Sequence, residues 1–202
     1  MSRVPPDLPP AILRACFDAA ERAYPREACG LLSGPKGRGV IDAVRVCDND
    51  QDRLHGLDPV EFARDGRTAF RLRYVDVCWL LASRTTDRPT QIVFHSHVDV
   101  GADFSMADRD AALSFGEPDV LLDQLVIDAT KAGVRGAALY RFAAGEFVRI
   151  AEYDASGQKR SCAMSRCEEA NASRRQSEST VVVGERLPGL AALVLGTARD
   201  RW

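Results

Sequence analysis

No run of about 18 consecutive apolar residues occurs in the 202-residue chain, which excludes a membrane-spanning helix as an expectation. Its first ten residues carry a single arginine, Arg3, and no apolar segment, so they do not read as a secretory signal. Neither sign of charge is in excess. With 27 Lys+Arg against 29 Asp+Glu, the net charge is −2 and the pI near 6.0, which argues against a nucleic-acid binder with a basic face. Histidine is scarce, three in all, and its placement excludes several hydrolase classes. His-Glu-x-x-His is absent, which removes the zincins. The paired His-x-Glu and Pro-Cys-x-x-Cys of the zinc deaminases are also missing. No histidine follows His97, so a barrel amidohydrolase has no later ligands to draw on. The chain is also short of the roughly 250 residues such a barrel needs.

The six cysteines form no metal-binding or disulfide framework. Cys162 and Cys167 are the one close pair, and no histidine stands near them. Cys16, Cys29, Cys47 and Cys78 lie mostly within apolar patterns, which predicts reduced, buried thiols in a cytoplasmic protein. A charged fraction of 28% and a hydrophobic fraction of 46% are ordinary for a globular domain. A chain of this size buries roughly 70% of its extended surface and needs no metal merely to fold.

Local patterns predict a mixture of helices and strands. Ile12, Leu13, Cys16, Phe17, Ala20 and Tyr24 recur at helical spacing over 9–24, with Pro9 and Pro10 suited to the first turn and Pro25 as the stop. Residues 28–33 and 40–46 read as two strands of a hairpin around Gly34-Pro35. Asp48 to Asp52 reads as a polar loop and His55 as a solvated histidine within it. Asp58, Pro59 and Glu61 form a helix-start pattern, which predicts helix in one or two pieces to about Ser83. Thr90 to His97 is β-branched and aromatic, hence a strand. A helix is expected from Ser105, strands near 124–129 and 135–142, and a last strand over 147–153 paired across Ala143-Ala-Gly-Glu. After Asp154 the composition turns to Ser, Arg, Glu and Gln. This predicts a domain over 1–154 and a flexible low-complexity tail over 155–202.

Two of the three histidines sit two apart in one predicted strand, as His95-Ser96-His97. Residues at that spacing share a face, with Cα atoms about 6.6 Å apart, so both imidazoles can converge on one ion. Asp108 follows eleven residues after His97, in Ser105-Met106-Ala107-Asp108, where it falls in the first turn of the predicted helix. Each half of this pattern is common by chance; the whole string is not. Two imidazoles and a carboxylate with a fourth position open form a catalytic rather than a structural zinc set.

The string His95-Ser96-His97, seven residues, Ser105-Met106-Ala107-Asp108 resembles the signature of the JAMM/MPN (JAB1/MPN/Mov34) zinc metallopeptidases. Pro25-Arg26-Glu27-Ala28-Cys29-Gly30-Leu31-Leu32 looks like the early-strand segment of the family's prokaryotic members, and the likeness covers about 10–153. Val98 and Phe104 stand where prolines are common in the family, and the stretch from Asp58 to Thr90 is longer than in compact bacterial relatives. The resemblance implies an α/β (α+β) fold, a mixed and mostly antiparallel sheet flanked by helices. It also implies one Zn2+ per chain held by His95, His97 and Asp108, with Glu27 as general base and Ser105 as a transition-state donor. Cys29, two residues from Glu27, reads as a small buried side chain under the site. The implied reaction is hydrolysis of a peptide or isopeptide bond at the C-terminal Gly-Gly tail of a ubiquitin-like or sulfur-carrier protein. The competing reading is a non-catalytic MPN-type scaffold; such proteins usually lack a ligand, whereas all five positions are filled here. No nucleic-acid or membrane partner is expected, and a homodimer is admitted.

Overall fold

Pro10 occupies the first position of a helix, where its missing N–H costs nothing, and Pro9 precedes it as N-cap. In the computed structural model, which describes residues 5–112 and 122–160, this helix is α1, Pro10–Ala23. It lays Leu13, Cys16, Phe17, Ala19 and Ala20 on one face of a six-stranded sheet. The strands are β1 (Cys29–Ser33), β2 (Ala43–Cys47), β3 (Thr90–Val98), β4 (Asp123–Thr130), β5 (Gly133–Ala143) and β6 (Glu146–Asp154). Their order is β2-β1-β3-β4-β5-β6; β3 and β4 run parallel and every other neighbouring pair antiparallel. The α+β class and the mostly antiparallel sheet are therefore as the sequence implied. The β5–β6 turn is Ala144-Gly145, both at positive φ, the mirror-image turn that suits strand twist.

Alternation along β3 divides the two faces. Ile92 and Phe94 join the main core beneath α1, while Val93 joins a second cluster with Cys29, Leu31, Cys47 and Leu80. His95 and His97 share the face of Val93. Helix α3 (Tyr74–Ser83) meets that face over β1 and β3 through Leu80. At the other end of the same face, Phe104 packs against Tyr140 and Phe147, with ring centroids 5.5 and 4.5 Å apart. A phenylalanine where the family commonly has proline thus anchors the loop after β3 to the sheet. Gly30 is required where β1 passes the Phe94 ring: a Cβ there would lie 2.3 Å from Phe94 Cε1.

One element differs from expectation. Gln51–Leu57 forms helix α2, and the segment from Asp58 forms a capped turn rather than the start of a long helix. Asp58 does cap, its Oδ1 accepting from the N–H groups of Val60 and Glu61 at 3.1 and 2.9 Å. Propagation fails because the following residues have no face to bury, Val60 being 89% exposed, and because Gly66 has tertiary partners. Its carbonyl accepts from Glu27 N and its N–H donates to Asp52 Oδ1, each at 2.7 Å. His55 consequently lies within α2, half-buried, with Nδ1 2.6 Å from the Phe62 carbonyl oxygen, not in a solvated loop.

Residues 155–160 turn back onto β6, where Arg160 N donates to Glu152 O at 2.9 Å. The remainder of the expected tail, 161–202, lies outside the described residues. Among the described residues, no helix is long and apolar enough to cross a membrane.

Candidate metal centre

The C-terminal end of β3 carries the site. His95 and His97 are 1% and 6% exposed and point from one face of the strand. Their Nε2 atoms are 3.2 Å apart. Helix α4 (Met106–Ala112) brings Asp108 over them from its first turn. Asp108 Oδ1 lies 3.4 Å from His95 Nε2, and Oδ2 lies 3.1 Å from His97 Nε2. A tetrahedral zinc site with bonds of about 2.0–2.1 Å has ligand–ligand edges of about 3.3 Å. The two imidazole nitrogens meet that spacing, each has a carboxylate oxygen at a similar distance, and one ligand atom from each of the three residues lies within 4.8 Å of the others. They are also chemically apt, since two imidazole nitrogens turned toward one carboxylate leave lone pairs that a cation satisfies. Among the described residues, this is the one group of three or more His, Cys, Asp or Glu side chains able to hold a metal ion.

Local structure explains why these side chains converge. Ser105 is the cap of α4: its Oγ accepts from Asp108 N at 3.1 Å and donates to Asp108 Oδ2 at 2.7 Å. Ser105 N donates to the same oxygen at 2.8 Å. This reciprocal cap aims the carboxylate back over β3. His97 Nδ1 stands 3.2 Å from the Gly101 carbonyl, an acceptor for a proton on that nitrogen, and a proton held there would leave Nε2 as the ligand atom for an ion. His95 Nδ1 is buried with no hydrogen-bond partner, and its ring is held by the face of Phe70, stacked at 4.6 Å and 19°. Phe70 carries no sequence signal for this role.

Glu27 precedes β1. The β1–β3 register pairs Cys29 with His95, and the ladder continues one residue further. Ser96 N donates to Ala28 O at 2.9 Å, and Ala28 N donates to Ser96 Oγ at 2.8 Å. Glu27 therefore falls opposite His97 and on its face. Ser96, quoted in the motif only as the residue between the ligands, is the clamp that makes this so. Cys29 is buried against Cys47 and the α3 cluster, with its thiol pushed up by burial, as befits packing beneath the site.

Burial raises the Glu27 carboxyl to about 7; the nearby Asp108 charge adds to this, while His97 and Arg64 oppose it. Burial acts against the Asp108 charge too, but hydrogen bonds from His95, His97 and Ser105 outweigh it and hold that carboxyl well below the ordinary range. His95 is lowered, chiefly by burial. In His97 burial is outweighed by Asp108 and Glu27, and the net shift is upward. The two carboxyls are thus pushed in opposite directions, Asp108 toward its charged form and Glu27 toward its neutral one.

No curated protein matches the chain significantly. Among solved structures, it is similar to a protein from Desulfitobacterium hafniense (TM-score 0.46, 20% identity, covering 68% of this chain and 84% of that one). It is similar as well to a protein from Salinibacter ruber (TM-score 0.45, 19% identity, 71% and 86% covered). A third is a JAB1/MPN domain protein from Archaeoglobus fulgidus (TM-score 0.37, 14% identity, 79% and 96% covered). The sequence profile of the prokaryotic homologues of the JAB domain matches residues 9–135, well over half of the chain and a span that includes Glu27, both histidines, Ser105 and Asp108. By that match, the chain belongs to the prokaryotic homologues of the JAB domain.

Proposed function

We propose that this chain is a zinc-dependent peptidase or isopeptidase acting at the C-terminal Gly-Gly tail of a ubiquitin-like or sulfur-carrier protein. The observation that carries the reading is the convergence of His95, His97 and Asp108, whose ligand atoms lie within 4.8 Å of one another, with the buried Glu27 carboxyl close enough to feel the charges of His97 and Asp108. His95, His97 and Asp108 would hold the ion. A bound divalent ion supplies Lewis acidity toward the scissile carbonyl and activates water near neutral pH. Glu27, raised toward neutrality by burial, accepts the proton of the attacking water and returns it to the leaving amine. Ser105 presents its hydroxyl beside the ligand carboxylate; on turning its proton from Asp108 Oδ2, which keeps the Ser105 N–H bond, it can donate to the oxyanion that develops on the substrate. An extended tail binds through main-chain hydrogen bonds, and glycines allow it through a narrow approach to the strand end.

The superfamily also contains inactive members, so the decisive experiment separates hydrolase from scaffold. The zinc-loaded protein is incubated with a ubiquitin-fold carrier whose Gly-Gly tail is extended by one or two residues. In parallel it is given a Gly-Gly tail joined to a lysine side chain. Intact mass should show cleavage directly after Gly-Gly, slowed by orders of magnitude with Glu27→Gln. One bound ion per chain with no cleavage of either substrate would favour the scaffold.

A further inference from the structure

We propose that Asn49 is the positioning residue that fixes Glu27 and the Phe70 ring relative to the histidine pair, an inference that rests on the reading of Glu27 as general base. Asn49 sits between β2 and α2, about twenty residues in sequence from both segments it joins. Its Nδ2 donates to the carbonyls of Glu27 and Ala69, each at 3.0 Å. Its Oδ1 accepts from the N–H groups of Gln51 and Arg71, each at 3.0 Å. Both donors and both acceptor positions of the amide are used. The orientation is unambiguous, since two carbonyls face one end and two N–H groups the other. No other residue type of this length supplies that set: aspartate lacks the donors, and serine lacks the reach.

The bonds converge on the site from two directions. Glu27 is held at both of its own backbone groups, its carbonyl by Asn49 and its N–H by Gly66 O at 2.7 Å. Ala69 and Arg71, the two residues bonded by Asn49 in the long 58–72 segment, flank Phe70, whose ring stacks on His95. Neighbouring bonds strengthen the same latch: Gln51 Nε2 donates to Arg64 O at 2.7 Å, and Asp50 N to Arg71 O at 2.9 Å. One amide thus ties the backbone of the base to the segment that braces a metal ligand. It touches neither the ligands nor the reacting atoms.

The test has a structural arm and a kinetic arm. In the metal-free protein, Asn49→Ala should speed amide hydrogen exchange at Gln51 and Arg71 by about tenfold or more, with strand β5 unchanged. Asn49→Asp keeps that acceptor and should leave both amides protected. In the zinc-loaded protein acting on the extended carrier, Asn49→Asp should lower kcat about 10- to 100-fold, with KM within about threefold and metal stoichiometry intact. Placed in the Glu27→Gln background, the same change should cost less than about threefold, because its effect runs through Glu27. Unchanged exchange at Gln51 and Arg71 in Asn49→Ala, or an equal kinetic loss in both backgrounds, overturns the proposal. Accelerated exchange in Asn49→Ala with a wild-type protein that cleaves neither substrate upholds the latch and defeats the hydrolase reading instead.

Discussion

Glu27 and His97 stand opposite each other across the β1–β3 ladder, one residue beyond the Ala28–Ser96 pair that closes it. Seventy positions apart in sequence, they are neighbours because the β1–β3 register, extended by the two Ala28–Ser96 bonds, runs on past Cys29 and His95.

Removing one ligand should remove the metal. Wild-type protein dialysed against zinc is expected to hold about one ion per chain, and His97→Ala well under a tenth of that by elemental analysis, since two donors cannot close the set. A His97→Ala protein that still binds one ion tightly would place the site elsewhere.

Glu27 is not counted among the ligands, so Glu27→Gln should keep its zinc while losing roughly 10²–10⁴-fold in turnover. Metal content and single-turnover rate, measured on the same preparation, separate the two roles.

The same substitution makes a stability prediction for metal-free protein. The folded Glu27 carboxyl, at about 7, lies above its ordinary 4.5, so its protonated form is favoured in the fold. That contribution is complete below pH 4.5 and is lost as pH rises through 7. Relative to wild type, Glu27→Gln should therefore gain on the order of 3 kcal/mol between pH 4 and pH 8, by urea unfolding in EDTA. A difference that does not change with pH would contradict the buried placement of this carboxyl.

Ser105→Ala removes a helix cap and a hydroxyl donor together. The cap should cost about 1 kcal/mol of unfolding free energy. Loss of an oxyanion donor should cost about 2.7–4 kcal/mol in kcat. Ser105→Gly keeps most of the cap but has no hydroxyl, so a near wild-type thermal midpoint with the full loss in kcat tells the effects apart.

Ser96→Ala leaves the buried Ala28 N–H without its acceptor. The expected loss is about 1–3 kcal/mol by chemical denaturation, with Ser96→Thr retaining most of it. Unaltered stability in Ser96→Ala would mean the β1 end is held by other bonds.

What could be read directly from the chain was local. Helix α1 shows in its prolines and apolar spacing, β3 in its β-branched run, and the metal set in the histidine pair and the Ser105–Asp108 cap, because each depends on periodicities of two to four residues. The 58–72 segment was misjudged for the same reason. Asp58 does cap a turn, but Gly66 gives its backbone groups to Glu27 and Asp52, partners that no local pattern reveals. Tertiary structure alone decided which side chains meet. The β1–β3 register set Glu27 against His97, and the four bonds of Asn49 joined three segments that in the unfolded chain are independent. Hydrogen bonds between distant segments have no periodic signature, so the His95–His97–Asp108 group was legible while the groups that hold Glu27 and brace His95 emerged only once the sheet and its covering loop had packed.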